Sequence, residues 1–198
     1  MSTQAQNRYK ADLREMRFLL FEQFKLGELL GQEPFENWGP EEVNMTLDTA
    51  YKFVCDVLGA LSASGDRQGC RFEKGNVYAP DGFKAAWDAI YEAQFKTIAA
   101  DPAHGGGGAP HMLQVLTEEL ITGANTAFSM YPGLAYGAAE VIGAFGTGAQ
   151  KDKYMHPMMF GKAGGTMCLT EPHAGSDVGS SRTTAKRIGD GKYLISGT

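Results

Sequence analysis

A change of period near residues 161–164 constrains this 198-residue chain more than any other feature. Before it, apolar residues recur at steps of three and four, as on a helix face. After it, Thr, Ser and charged residues alternate with apolar ones in short runs, as on strands. Helices followed by strands imply an α+β chain or two successive domains, and exclude the βαβ alternation of a Rossmann sheet.

In the helical part, residues 12–30 place Leu13, Met16, Leu20 and Phe24 on one face, with Phe21 on its flank, before Gly31, Pro34 and Gly39-Pro40 interrupt the pattern. The clearest amphipathic helix follows, carrying Val43, Leu47, Ala50, Val54, Val57, Leu58 and Leu61, with its end expected at residues 62–65. Residues 69–80 (GCRFEKGNVYAP) read as an extended crossing segment. Asp81 is the expected N-cap of a third helix bearing Phe83, Trp87, Ile90, Tyr91, Phe95 and Ile98, which stops before Asp101-Pro102.

Residues 103–110 (AHGGGGAP) offer backbone amides in the manner of a phosphate cradle, but no preceding strand and no P-loop lysine accompany them. A loop between helices is the better assignment. A fourth helix is expected over 111–123 on Leu113, Leu116, Leu120 and Ala124. A short run over 125–130 precedes Pro132, and a fifth helix carries Leu134, Ala138, Val141, Ile142 and Phe145. The last, 148–160, turns Tyr154, Met155, Met158 and Met159 inward, and Pro157 marks a bend or an early stop.

Charge and composition exclude several classes. A net charge of −5 without a basic stripe argues against nucleic acid as a partner. No apolar run reaches the roughly 18 residues of a membrane helix, which points to a soluble, cytoplasmic protein. Cys55, Cys70 and Cys168 form no C-x-x-C pair, and His104, His111 and His156 share no helical face with Cys or Glu, so no metal site is expected. Tyr131 and Tyr136, around the proline, are candidates for the wall of an apolar cavity or for ordinary core.

The most specific motif is Met167-Cys168-Leu169-Thr170-Glu171-Pro172-His173-Ala174-Gly175-Ser176-Asp177. An apolar strand, 166–169, breaks at Thr170-Glu171-Pro172, where proline removes a donor. A small-residue loop follows, and the chain returns over 182–188 to reverse at Gly189-Asp190-Gly191. This stretch resembles the flavin-dependent acyl-CoA dehydrogenases, in which a strand ending in Thr-Glu-Pro-x-x-Gly-Ser-Asp opens a middle β-domain. The likeness extends over nearly everything after about Thr46, and residues 12–30 look like the N-terminal extension of the subfamily that includes methylthiopropanoyl-CoA dehydrogenase-like enzymes.

The resemblance implies an N-terminal extension over 1–38, a helical domain over 39–162, and the start of a β-barrel-like domain over 163–198. Two or three strands leave sheet edges unpaired, so the chain is expected to be an N-terminal fragment without the C-terminal helical domain. It implies FAD as cofactor, with Met167, Leu169 and Thr170 against the flavin and Gly175 and Ser176 against the CoA arm; methionine stands where many members carry an aromatic. Glu171 and Asp177 are expected to fix the loop. The implied reaction is oxidation of a saturated acyl-CoA to the trans-2-enoyl-CoA, with electrons leaving through an electron-transferring flavoprotein and a homodimer or homotetramer as the assembly. Its catalytic base is a glutamate of the C-terminal domain, so no residue here is assigned that role. The alternative is a non-catalytic split subunit or an acyl-CoA-binding module.

Overall fold

The computed structural model describes residues 7–197, and they fall into two compact units divided after Gly165. The outer residues of the expected extension and the final Thr198 lie outside the described residues. The first unit is helical with one small hairpin, the second carries a longer hairpin, and no barrel closes among the described residues.

Helix α1 (Leu13–Arg17) begins where the Asp12 carboxylate accepts from Arg14 N, and it runs on into a π turn, Phe18–Gln23. Met16 and Leu20 are buried as expected, but Phe24 is 57% exposed. In the wide turn Phe24 N donates to Leu19 O, five residues back, which rotates residue 24 off the Met16–Leu20 line. Lys25 then takes a left-handed φ of 52°, and Leu26 fills the core instead. The helix thus stops at Gln23, short of residue 30.

Helix α2 (Pro40–Phe53) passes through a π turn, Val54–Leu58, into α3 (Gly59–Gln68). The expected stop at 62–65 is absent. Gly65 serves packing rather than termination, since a Cβ there would lie 2.6 Å from the Phe83 ring. The segment 69–80 is a hairpin of β1 (Arg71–Glu73) and β2 (Asn76–Tyr78), turned by Lys74-Gly75 at φ 51° and 82°. Helix α4 (Phe83–Glu92) starts from Gly82, not Asp81, whose own N–H is taken by Gln68 Oε1 at 3.0 Å.

After α4, turns over 93–99 replace the expected last helical turns and bury Phe95, Lys96, Thr97 and Ile98. The tetraglycine packs against them: Gly106 N donates to Asp101 O, Gly107 N to Thr97 O and Gly108 N to Ala100 O, at 2.9–3.1 Å. A Cβ on Gly106 would stand 2.1 Å from Ala100 O. These amides are occupied by the fold, so the glycines allow close backbone approach and form no phosphate cradle.

Helix α5 (His111–Ala124) is joined to α6 (Thr126–Phe145) by Asn125, whose Oδ1 caps Phe128 N and whose Nδ2 reaches Leu58 O, both at 3.1 Å. Helix α6 continues through Pro132 rather than breaking there. Its buried line is Phe128, Pro132, Ala135 and Ala139. Val141 and Phe145 lie about 200° and 240° round from Ala139 and are exposed, against expectation. Helix α7 (Gly148–Gln150), capped by Thr147, leads through a π turn to α8 (His156–Met159), which ends two residues after Pro157. Met155, Met158 and Met159 pack on Ala139 as a second small core, whereas Tyr154 points outward.

In the second unit, residues 166–170 form no strand, which corrects the expectation for 166–169: among the described residues no neighbouring strand satisfies their N–H and C=O groups. The hairpin β3 (Thr184–Gly189) and β4 (Lys192–Ser196) forms as expected, with Asp190 and Gly191 both at positive φ.

Candidate functional site

Polar chemistry is found in both units. In the second unit the motif loop is fixed from within. Glu171 and Ala174 exchange backbone hydrogen bonds of 3.1 and 3.0 Å, which closes a tight turn with Pro172 and His173 at its tip. The Glu171 carboxylate is buried and accepts from Arg182 N at 2.8 Å and Thr183 N at 2.9 Å. The Thr183 hydroxyl and these two amides hold its pKa down to about 2. Asp177 accepts from Ser180 Oγ, and His173 Nε2 lies 3.3 Å from Ser180 O. Glu171 and Asp177 therefore tie the loop to the start of β3.

Because the Glu171 pKa lies below its usual 4.5, its contribution is fully present above pH 4.5 and is lost as the pH falls toward 2. Glu171→Gln is expected to lower the hydrogen-exchange protection factors of the Arg182 and Thr183 amides at neutral pH. Unchanged exchange would remove Glu171 from this role.

The other motif residues present themselves outward. Met167 is 66% and Leu169 52% exposed, and Thr170, Gly175 and Ser176 are exposed as well. A Cβ on Gly175 meets nothing within 4 Å, so this unit's own packing does not require glycine there. The exposed apolar side chains lie beside backbone amides at 166–170 that have no backbone partner among the described residues. That combination of apolar surface and free donors suits a planar heterocycle with carbonyl edges.

In the first unit a cleft of about 560 Å3 is walled by Ala99, Ala100, Ala139, Ala144 and Phe145, with Tyr136 on its side. Tyr136 is half-buried and donates to Glu140 Oε1 at 2.7 Å; burial first and this carboxylate second raise its pKa. Tyr131 does not share the cleft. Its hydroxyl lies 3.5 Å from Cys70 Sγ, which separates the two tyrosines that sequence had grouped. His156 Nε2 meets His104 Nδ1 at 3.3 Å, and no third metal ligand joins them among the described residues.

Sequence gave no sign of Lys96, which is 2% exposed, pairs with Glu118 and sits 5.5 Å from the Tyr136 ring centroid. Glu118 also accepts from Gln114 Nε2 at 2.8 Å, and burial with Glu118 nearby pushes the Tyr91 hydroxyl up to about 12. A lysine between Phe95 and Ile98 of the expected helix looks like a solvated charge, and only the turns over 93–99 that replace those helical turns bury it. Lys96→Ala leaves Glu118 partly buried with only the Gln114 amide as partner and no counter-charge, and urea denaturation is expected to show a loss of about 3 kcal/mol. The double change Lys96→Met, Glu118→Leu should recover most of it.

Comparison with known proteins follows the same division. The sequence profile of the acyl-CoA dehydrogenase N-terminal domain matches residues 40–162. The 3-methylmercaptopropionyl-CoA dehydrogenase of Ruegeria pomeroyi is 31% identical over 190 residues, covering 96% of this chain and 32% of that protein. Two solved structures are similar. Butyryl-CoA dehydrogenase from Megasphaera elsdenii has a TM-score of 0.64 at 24% identity, over 78% of this chain and 39% of that one. A chain of the structure reported for the electron-transferring flavoprotein of Acidaminococcus fermentans has a TM-score of 0.62 at 27% identity, over 79% and 38%. The chain spans about a third of the length of the curated relatives it matches. With the domain profile over more than half of its residues and relatives aligned along nearly all of it, the chain belongs to the acyl-CoA dehydrogenase family.

Proposed function

We propose that this chain supplies the helical domain and the cofactor-facing loop of an FAD-dependent acyl-CoA dehydrogenase, which oxidises a saturated acyl-CoA to the trans-2-enoyl-CoA in the manner of β-oxidation. Family membership supports the reaction class, and the exposed apolar and donor surface at 166–170 supports a cofactor-facing role for this loop. FAD, when bound, supplies the two-electron acceptor.

The residues of this chain bind and orient. Thr170, through its hydroxyl, and Leu169, through its backbone, hold the polar edge of the ring, while Met167 packs on it with a polarizable side chain. Gly175 leaves room for the pantetheine arm, and Ser176 donates to it. Glu171 and Asp177 stand back from the ligand and fix the loop, which avoids setting a carboxylate against an anionic substrate. Neither the loop nor the cleft is assigned the base that removes the α-proton.

A cytoplasmic homodimer or homotetramer that passes electrons to an electron-transferring flavoprotein completes the proposal; the likeness to a chain of a structure reported for such a flavoprotein supports the electron partner alone. No helix among the described residues is long and apolar enough to cross a membrane.

The test uses the protein purified from its own complete reading frame and loaded with FAD. Anaerobic mixing with a saturated acyl-CoA is expected to bleach the flavin and yield the trans-2-enoyl-CoA. Flavin that stays oxidised while acyl-CoA binds would replace this reading with that of a non-catalytic acyl-CoA-binding module.

A further inference from the structure

We propose that a second cleft, between the segment at residues 7–10, α3 and the end of α5, binds a phosphate-bearing anion of the nucleoside diphosphate class. The cleft measures about 610 Å3, and Arg8, Lys10 and Arg67 line it together with Ser62; among the described residues no carboxylate lines it. In a chain of net charge −5 this is a local inversion of sign. A cleft lined by one sign of charge focuses the field and raises the local concentration of counter-charged ligand.

The cations are placed by the fold. Asn7 Nδ2 donates to Cys55 O at 2.5 Å, and Asn7 Oδ1 accepts from Tyr9 N at 2.9 Å, which pins the segment to the α2–α3 helix. Two glycines permit the approach: a Cβ on Gly59 would lie 2.4 Å from Asn7 Oδ1, and one on Gly123 would lie 2.8 Å from the Tyr9 ring. Arg8 and Lys10 are thereby held beside the cleft that Arg67, in the last turn of α3, also lines.

None of the three forms an ion pair among the described residues, and residues 1–6 contain no Asp or Glu to neutralise them. Glu119 is near enough to raise the Tyr9 pKa, after burial, yet it does not line the cleft. Three cations match the roughly three negative charges of a diphosphate ester at neutral pH, and Arg offers paired donors that fit phosphate oxygens. The volume exceeds what bare phosphate fills, and the Tyr9 ring with Ala63 and Ala124 provides apolar wall for a heterocycle.

Calorimetric titration of the full chain with ADP tests this. ADP is expected to bind saturably, inorganic pyrophosphate to compete with it, and adenosine to bind at least tenfold more weakly. Arg8→Ala and Arg67→Ala, both at exposed positions, should each raise the ADP Kd about tenfold. The charge-keeping variants Arg8→Lys and Arg67→Lys should bind more weakly than the wild type but more tightly than the corresponding alanine variants, because charge is kept and the paired donors are lost, and Arg187→Ala, in the other unit, should bind as the wild type does. Absence of saturable binding at millimolar ADP would overturn the proposal. So would adenosine binding as tightly as ADP, or a Kd that is the same in the Arg8→Ala, Lys10→Ala, Arg67→Ala triple variant.

Discussion

Leu20→Asp is expected to remove about 4 kcal/mol or more of the stability of the helical unit, whereas Phe24→Asp, four residues on, should cost under about 1 kcal/mol. Leu20 is 1% exposed inside the main apolar cluster, and Phe24 is 57% exposed. Truncating a side chain buried like Leu20 to Ala costs about 2–5 kcal/mol through lost contacts and the cavity left behind, and a carboxylate adds the cost of burying an unpaired charge. A domain of this size holds about 5–15 kcal/mol in all, so the first variant approaches the unfolding threshold and the second does not. Urea titration followed by the fluorescence of Trp38 and Trp87, both packed on this cluster, separates them. Equal midpoint shifts for the two variants would show that α1 and its π turn do not dock as described.

That pair also marks where sequence was legible. A 3.6-residue period puts residues 20 and 24 on one face, and the burial of Met16 and Leu20 agrees with it. Three π turns, at Phe18–Gln23, Val54–Leu58 and Lys151–Met155, each add to the turn and shift every later residue round the axis. Nothing in a hydrophobic pattern announces them, which is why Phe24 and Tyr154 were expected on the wrong side. Helix α5 has no such turn, and its face was read correctly at Leu113, Leu116, Leu120 and Ala124.

Tertiary contacts hid the remainder. Gly65 lies inside α3, where its missing side chain makes room for the Phe83 ring, 18 residues on, rather than ending the helix. The tetraglycine's partners at 97–101 are near in sequence, but only the turns over 93–99, which replace the expected helical turns, bring them into reach. At the motif, Glu171 and Asp177 were expected to fix the loop, and local hydrogen bonds bear this out because their partners lie within a dozen residues. Lys96 and the basic cleft depend on segments brought together only by folding.

The loop's outward residues lead to the second large effect, in the complete FAD-loaded enzyme. If Thr170 touches the flavin and Ser176 only the CoA arm, as proposed, their substitutions fail in different quantities. Thr170→Val keeps the shape and removes one hydrogen bond to a ring that becomes more negative on reduction. A bond of about 1.5–3 kcal/mol to such a group corresponds to flavin reduction slowed by roughly one to two powers of ten, with a lower flavin potential. Ser176→Ala removes a donor remote from the reacting carbons, so the acyl-CoA Kd should rise about tenfold or less while the flavin spectrum and the limiting reduction rate stay put. Gly175→Val, at a position whose own unit leaves open space, should raise the Kd without lowering Tm. Anaerobic stopped-flow mixing with a saturated acyl-CoA reports rate and affinity together, and redox titration reports the potential. Wild-type values for all three variants would leave Thr-Glu-Pro-x-x-Gly-Ser-Asp as a turn held by Glu171 and Asp177, and the flavin and CoA contacts would have to come from other residues.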